Sequence, residues 1–306
     1  MPTLPQPRPA VTRRTMLASI GALLAHDLIL PTTLKADENP DWTTPIPPFR
    51  IAGNLHYVGS RDLASYLLTS PEGHILINSN RTSSPAQIRT SVEKLGFKFS
   101  DVKILLISHA HFDHCAGSAQ IKQLSGAKYM VMDADVPVVE SGGRTDFQYG
   151  RDKSNWYPAA KVERILHHGD QVKLGETVLT AHKTAGHTKG CITWTTRLHE
   201  GNRVLNAVIV GSPNVNPGYN LINDPNYPQM AADYTAQFRT LKALPCDIFL
   251  GAHGSYFDML QKIDHLKSGD KNAFIDPAGY KAYIADRQQA FEAELARQKN
   301  TSTPHK

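Results

Sequence analysis

The chain has 306 residues, of which 41% are hydrophobic and 20% are charged, proportions that exclude a disordered or fibrous protein. The formal net charge is +5, but the first 36 residues hold four of the basic side chains and only one acidic one. The remainder, with 29 basic against 27 acidic side chains, is close to neutral, which argues against a nucleic-acid-binding surface.

Residues 1–36 have the pattern of an export signal. The segment "TRRTML" places two arginines directly before the apolar stretch "MLASIGALLA". This stretch is shorter than the roughly 18 apolar residues that a membrane-spanning helix needs, and no later stretch reaches that length. The pattern is typical of a twin-arginine signal, with an ordinary secretory signal as the alternative. We therefore expect a mature protein of residues 37–306 in the periplasm, with no membrane segment after signal removal.

The first half of the mature chain alternates strand and helix patterns. Arg50 to Asn78 contains consecutive short strands separated by turn residues, and "SSPAQIRTSVEKLG" predicts a helix that begins near its proline and ends at its glycine. The run "VKILLIS" predicts a buried strand. The helix "AQIKQLSG", the strand "KYMVMD" and the helix "ADVPVVES" follow.

The second half is richer in strands. "DQVKLGETVLTAHKT" predicts two strands joined by a Gly-Glu turn, and "CITWTTR" and "RVLNAVIVGS" extend the same sheet. The helix "QMAADYTAQFRTLKAL", the strand "CDIFLGAH" and a terminal helix "KAYIADRQQAFEAELARQ" complete the chain. This mixed order predicts an α/β (α+β) protein in which two mixed sheets pack together with helices outside.

A dense group of histidines follows the strand "VKILLIS". The segment "SHAHFDHCAG" contains three histidines and one aspartate within six positions. In an extended segment His109 and His111 point to the same side and can bind one ion, while Asp113 and His114 face a second point as the chain turns. Imidazole and carboxylate are ligands that suit Zn²⁺, and loops at strand ends commonly carry such sites. A chance surface turn is disfavoured because the cluster directly follows a buried strand.

Two other histidines occur in similar positions. His187 lies in "TAGHTKG" and His253 in "LGAHGS", each after a predicted strand and beside glycines that allow close approach of the backbone to an ion. Either one alone could be an ordinary loop histidine. Together with the cluster, they are favoured as further ligands.

The segments "HAHFDHCAG", "TAGHTKG", "GSPNVNPGY" and "GAHGS", in this order, resemble the metallo-β-lactamase superfamily, and specifically its subclass B3. The resemblance extends from about Asp41 to the final helix and includes "YPAAKVERILHHGDQVKLG". It implies a four-layer αββα sandwich with two Zn²⁺ ions at one edge. It also implies the following ligands: His109, His111 and His187 for the first ion, and Asp113, His114 and His253 for the second.

The segment after the strand "RVLNAVIV" distinguishes subclass B3 from its relatives. Glyoxalase II, lactonases and flavodiiron proteins carry a bridging aspartate there, and subclass B1 enzymes use a cysteine ligand, whereas this chain has Gly211 and Ser212. Two departures from the B3 pattern affect the expected substrate preference and disulfide. Asn214 replaces a second serine, and Gly211 replaces a cysteine that pairs in some members, so we expect no disulfide to Cys191. Cys115 is expected to be a small packed residue rather than a ligand.

The resemblance implies zinc-dependent hydrolysis of the amide bond of β-lactam antibiotics (penicillins, cephalosporins and carbapenems) by a metal-bound hydroxide. We also expect a monomer, although the sequence itself does not define the oligomeric state. Asp113 would orient the attacking water. Ser212, Asn214 and Asn216 would bind the substrate carboxylate. Tyr219 would assist the oxyanion or merely pack in its turn. The alternatives are hydrolysis of another cyclic ester, thioester or lactam such as an acyl-homoserine lactone, metal binding without turnover, and the nuclease branch of the superfamily, which the near-neutral charge disfavours.

Overall fold

The computed structural model describes residues 39–302. The predicted export signal lies outside the described residues. Among the helices that are described, none combines the length and the apolar character that crossing a bilayer requires.

The first sheet contains seven strands in sequence order. They are β1 (Phe49–Ala52), β2 (Leu55–Tyr57), β3 (Tyr66–Ser70), β4 (Gly73–Ile77), β5 (Val102–Leu106), β6 (Lys128–Met132) and β7 (Arg164–Leu166). β1 to β4 pair antiparallel, whereas β4 to β7 pair parallel. The parallel pairs are connected by segments that contain helices, as parallel pairing requires.

The second sheet contains five strands in the order β12-β11-β10-β9-β8. They are β8 (Gln171–Leu174), β9 (Thr177–Lys183), β10 (Ile192–Glu200), β11 (Arg203–Val210) and β12 (Ile248–Gly251). β8 to β11 form an antiparallel meander, and β12 joins β11 in parallel.

Side chains of the first sheet point alternately to its two faces and so contribute to two separate hydrophobic cores. In β4 the side chains of Ile75 and Ile77 pack between the two sheets, whereas Leu76 packs against the outer helices. Because successive side chains point to opposite faces, a strand that is buried on both faces must be apolar throughout. This explains why "HILIN" and "VKILLIS" are continuous apolar runs.

Helices cover both outer faces. They are α1 (Pro85–Lys94), α2 (Phe112–Cys115), α3 (Ser118–Ser125), α4 (Val136–Ser141), α5 (Met230–Ala243), α6 (Met259–Lys267) and α7 (Pro277–Ser302). α1, α3 and α4 contribute to the core outside the first sheet. α5 packs on α7, which contacts β12 of the second sheet. The predicted α/β sandwich is therefore confirmed.

Three elements were not predicted from the sequence. β7 is three residues long, and Ile165 within it is exposed, so its pattern is too short and too irregular to indicate a strand. The second unpredicted element is α6, which buries only Met259 and Lys262 among its side chains. α2 is a single turn that begins directly after His111 and carries Asp113 and His114, where the sequence indicated only a turn.

Candidate metal centre

The loops that carry the candidate ligands lie at one edge of both sheets. The loop after β5 begins at Ile107 and is joined to the second sheet by a hydrogen bond from the Ile192 backbone N–H to the Ser108 carbonyl (2.8 Å). His253, after β12, pairs with Leu63 in an isolated β-bridge. These backbone contacts bring together loops that are far apart in the sequence.

His109, His111 and His187 form the first candidate set. One ring nitrogen of each lies within 4.8 Å of the corresponding nitrogens of the other two, and all three residues are buried. The ring centroids of His109 and His187 are 4.7 Å apart, as are those of His111 and His187. Three imidazoles can therefore face a common point.

Asp113, His114 and His253 form the second candidate set. Asp113 Oδ2 lies 3.1 Å from His114 Nε2 and 3.5 Å from His253 Nε2. The two Nε2 atoms are 3.2 Å apart. His109 also comes within 4.8 Å of ligand atoms of Asp113 and His114, so the two sets are adjacent.

Unsatisfied nitrogens show that this group fits metal ions. His109 Nε2 and His111 Nε2 are buried without a hydrogen-bond partner, and so is His114 Nδ1, the other nitrogen of the ring whose Nε2 faces Asp113 and His253. Buried polar atoms nearly always have a partner. The Nδ1 atom of His109 lies 3.2 Å from the Ser108 hydroxyl, which leaves Nε2 as its free ligand atom. A set of imidazoles and one carboxylate is a donor set that divalent zinc accepts.

The pKa shifts favour the protonation states of metal ligands. Burial, together with the neighbouring histidines, lowers the pKa of His109 and His187 well below the usual value, and burial lowers the pKa of His111 to about 4. Burial alone would raise the pKa of Asp113, but His114 and His253 outweigh it and hold that pKa well below its usual range. Neutral imidazoles beside an ionised carboxylate are the forms that bind a metal.

His253 differs from the other histidines. Burial disfavours its charged form, but hydrogen bonds to Asp113 and Asp62 outweigh this effect and raise its pKa to about 9. A metal ion that bound His253 at pH 7 would therefore have to displace a proton from it.

Two histidines are oriented by a hydrogen bond on the opposite side of the ring. His253 Nδ1 donates to Asp62 Oδ2 at 2.9 Å, and His187 Nδ1 donates to the Asn214 carbonyl at 2.8 Å. Such partners fix which nitrogen is free to bind a metal. Asp62 also accepts from the Trp42 indole (3.2 Å) and from the Ser255 backbone N–H (2.9 Å).

Asp146 is a third carboxylate beside the histidines, after Asp113 and Asp62. Its Oδ1 accepts from the backbone N–H groups of Gln148 (2.9 Å) and Tyr149 (2.6 Å), and its Oδ2 lies 3.8 Å from His111 Nε2. The ring of Tyr149 packs edge-on against the His111 ring. Neither Asp62 nor Asp146 was predicted from the sequence, because an isolated aspartate in a predicted loop carries no pattern that distinguishes it from a solvated one.

A cleft of about 530 Å³ opens over the candidate ligands, a size that suits a small organic molecule. Its lining includes the aromatic side chains Trp42, Phe112, Tyr149, Tyr157 and Tyr256. Two of the predicted substrate-binding residues, Asn214 and Asn216, also line it. The Asn216 amide donates to the Tyr149 hydroxyl at 3.0 Å, so these two lining residues are hydrogen bonded to each other.

The other two residues predicted to act on the substrate lie behind the cleft wall. Ser212 is fully buried, and its hydroxyl lies 3.3 Å from that of Tyr256. The Tyr219 hydroxyl donates to the His187 carbonyl at 2.8 Å, and the residue is buried. In this arrangement Tyr219 supports the loop of a candidate ligand, and its role toward the substrate stays a prediction.

The three cysteines are free, and Cys115 is buried in the core outside the first sheet, as expected of a packed residue. Gly211 lies directly beside Cys191. A Cβ added at Gly211 would lie 2.3 Å from the Ile192 carbonyl oxygen and 2.7 Å from the Cys191 sulfur, so the backbone of Ile192 as well as Cys191 favours a glycine at this position.

Comparison with known proteins identifies close relatives. The sequence profile of the metallo-beta-lactamase superfamily matches residues 61–200. A probable metallo-hydrolase from Burkholderia pseudomallei is 27% identical over 141 residues, a match that spans 45% of this chain and less than half (46%) of that protein.

Solved structures match over most of the chain. The FEZ-1 metallo-beta-lactamase from Legionella gormanii is 53% identical with a TM-score of 0.83, covering 84% of this chain and 98% of that one. BJP-1, a subclass B3 metallo-beta-lactamase of Bradyrhizobium japonicum, is 34% identical with a TM-score of 0.80, covering 86% and 98%. The metallo-beta-lactamase GOB-18 from Elizabethkingia meningoseptica is 33% identical with a TM-score of 0.81, covering 86% and 97%.

Proposed function

Because this chain belongs to the metallo-β-lactamase superfamily, we propose that it hydrolyses the amide bond of β-lactams, including penicillins, cephalosporins and carbapenems, with two bound Zn²⁺ ions. It is a hydrolase of the class to which its subclass B3 neighbours belong. The observation that carries the proposal is the convergence of the buried ligand atoms of His109, His111, Asp113, His114 and His187, with His253 beside Asp113 and His114, beneath one cleft.

The proposed ligands are those that the sequence indicated. His109, His111 and His187 would bind the first ion, and Asp113, His114 and His253 the second. When bound, zinc lowers the pKa of a coordinated water molecule from 15.7 to about 7, which supplies a nucleophile at neutral pH.

The chain's own residues would position the reactants. Asp113 is ionised and lines the cleft, so its carboxylate would orient the attacking water by accepting a hydrogen bond from it. Asn214 and Asn216 also line the cleft, and their amides can bind the substrate carboxylate. Ser212 and Tyr219 reach the substrate only if their present hydrogen bonds to Tyr256 and His187 open. No serine or cysteine nucleophile is needed, and Cys115 is buried with a raised pKa.

We further propose that the protein works as a monomer in the periplasm. The twin arginines and the apolar stretch of residues 1–36 support export. The near-neutral charge of the remainder supports a small-molecule substrate rather than a nucleic acid.

One experiment tests the proposed activity. Purified protein with zinc is assayed against a penicillin, a cephalosporin, a carbapenem and an acyl-homoserine lactone, with and without a chelator. We expect β-lactam hydrolysis that the chelator abolishes and added zinc restores. Rapid opening of the lactone without hydrolysis of any β-lactam would refute the substrate assignment, and full metal content without any hydrolysis would indicate a metal-binding protein.

A variant tests the ligand assignment. His109→Ala removes one buried imidazole from the first set and should lower both zinc content and turnover. His199→Ala, at an exposed position near the end of β10, provides a matched control that should retain both. Unchanged β-lactam turnover in His109→Ala would remove His109 from the ligands.

A further inference from the structure

Asp135 is a buried carboxylate outside the candidate ligands. It ends the 3₁₀ turn Asp133–Asp135 that follows β6, and it is only 1% exposed. Its Oδ2 accepts hydrogen bonds from the Ala110 backbone N–H and the Thr188 hydroxyl, both at 2.9 Å. Its Oδ1 accepts from the Gly190 backbone N–H at 2.8 Å.

These donors belong to the two loops that carry the first candidate set. Ala110 lies between His109 and His111, and Thr188 directly follows His187. Asp135 itself belongs to neither loop, so its carboxylate joins two segments that the chain separates by more than 70 residues.

Two further close contacts lie beside the Asp135 carboxylate, one at Ala110 and one at Gly190. The Tyr157 hydroxyl donates to the Ala110 carbonyl at 2.9 Å, so the short backbone unit between His109 and His111 is held on both sides. A Cβ added to Gly190 would lie 2.6 Å from the Asp135 backbone nitrogen. The loop after His187 therefore packs directly against the turn that carries the carboxylate.

We propose that Asp135 is a positioning residue of the first metal site, which sets the distance between the His109–His111 segment and His187. The inference rests on the proposed metal site but not on the identity of the substrate. It predicts that losing this carboxylate weakens metal binding at the first site while the fold persists.

An ionised carboxylate suits this role better than an amide. Burial raises the pKa of Asp135 to about 6 despite its three donors, so the group is ionised at pH 8. A carboxylate has only acceptor atoms, whereas an asparagine would turn its own N–H₂ group toward at least one of the three donors. Asp135→Asn therefore preserves the size of the side chain but sets an N–H₂ group against at least one of the three donors, which weakens the link between the two loops.

The test measures zinc affinity at the first site alone. His253→Ala removes a ligand of the second set, and Asp135→Asn is added to that background. We expect the double variant to bind its remaining Zn²⁺ at least tenfold more weakly than His253→Ala at pH 8, by competition with a chromogenic chelator, because partners behind metal ligands typically contribute 10- to 100-fold. The absorption spectrum of the Co²⁺-substituted protein should change as well.

Asp133→Asn provides the matched control. Asp133 lies in the same turn but is 38% exposed and pairs with Lys183, so its loss should leave zinc affinity unchanged. If Asp135→Asn does not fold, Thr188→Val removes only the hydroxyl donor and should weaken first-site zinc by about fivefold.

The outcomes separate this inference from the proposed function. A folded Asp135→Asn variant with unchanged zinc affinity and an unchanged Co²⁺ spectrum would overturn the positioning role, as would unchanged affinity in Thr188→Val. Zinc binding by the unmodified protein without β-lactam hydrolysis would refute the substrate proposal while leaving this inference supported by its own result.

Discussion

Replacing Asp62 with asparagine should weaken metal binding at the second site while sparing the first. Asp62 holds the His253 ring by accepting from Nδ1 at 2.9 Å, and it is itself held by Trp42 and Ser255. The amide has one acceptor oxygen in place of two, so it cannot keep all three of these hydrogen bonds.

The magnitude follows from the role of this contact. The carboxylate fixes the ring and makes its free nitrogen a better ligand, an effect that is worth 10- to 100-fold in metal affinity. This corresponds to about 1.4–2.8 kcal/mol. Asparagine also stabilises the proton on His253 less than aspartate does, and a bound metal ion would have to displace that proton. This partly offsets the loss of metal affinity, so the loss should lie toward the lower end of that range.

The assay is a zinc titration against a chelator, carried out at pH 8 on Asp62→Asn and on Asp41→Asn. Asp41 lies on the nearby surface, where it pairs with Arg61 in an exposed salt bridge that contributes little. Only Asp62→Asn should lose second-site affinity. A second-site zinc affinity in Asp62→Asn equal to that of the unmodified protein would refute the assignment of Asp62 as the orienting partner of His253.

Three further predictions concern pH, packing and the substrate. In the metal-free protein the pKa of His253 is raised from 6.5 to about 9, so its contribution to stability is fully present below pH 6.5 and is lost as the pH rises through about 9. The difference in Tm between the metal-free protein and His253→Gln should therefore shrink between pH 6.5 and 9.5, and a constant difference would contradict this. Gly190→Ala should destabilise the protein by about 1–3 kcal/mol, because the added Cβ would meet a backbone nitrogen at 2.6 Å; an unchanged urea midpoint would contradict it. Asn216→Ala should raise KM for β-lactams about fivefold, equivalent to about 1 kcal/mol. The control Asn220→Ala, at an exposed position outside the cleft, should leave KM unchanged. Equal KM values in the two variants would argue against a substrate contact.

The candidate ligands could be proposed from the sequence because their signal is local. His109, His111, Asp113 and His114 follow one buried strand directly, and the residue types themselves indicate a metal. His187 and His253 follow other strands in the same way. The fold class was predictable for a related reason, since continuous apolar runs and helical patterns depend only on neighbouring residues.

Only the tertiary structure shows which other residues form hydrogen bonds with the candidate ligands or with their loops. Asp62 is 191 residues from His253, and Asp135 is 53 residues from Thr188, yet each pair is hydrogen bonded. Nothing in the sequence distinguishes these two aspartates from the solvated ones, because a carboxylate becomes a positioning group only through burial and through donors from distant segments. For the same reason the sequence could name Tyr219 as a candidate but not the direction of its hydroxyl, which depends on how its loop packs against the loop of His187.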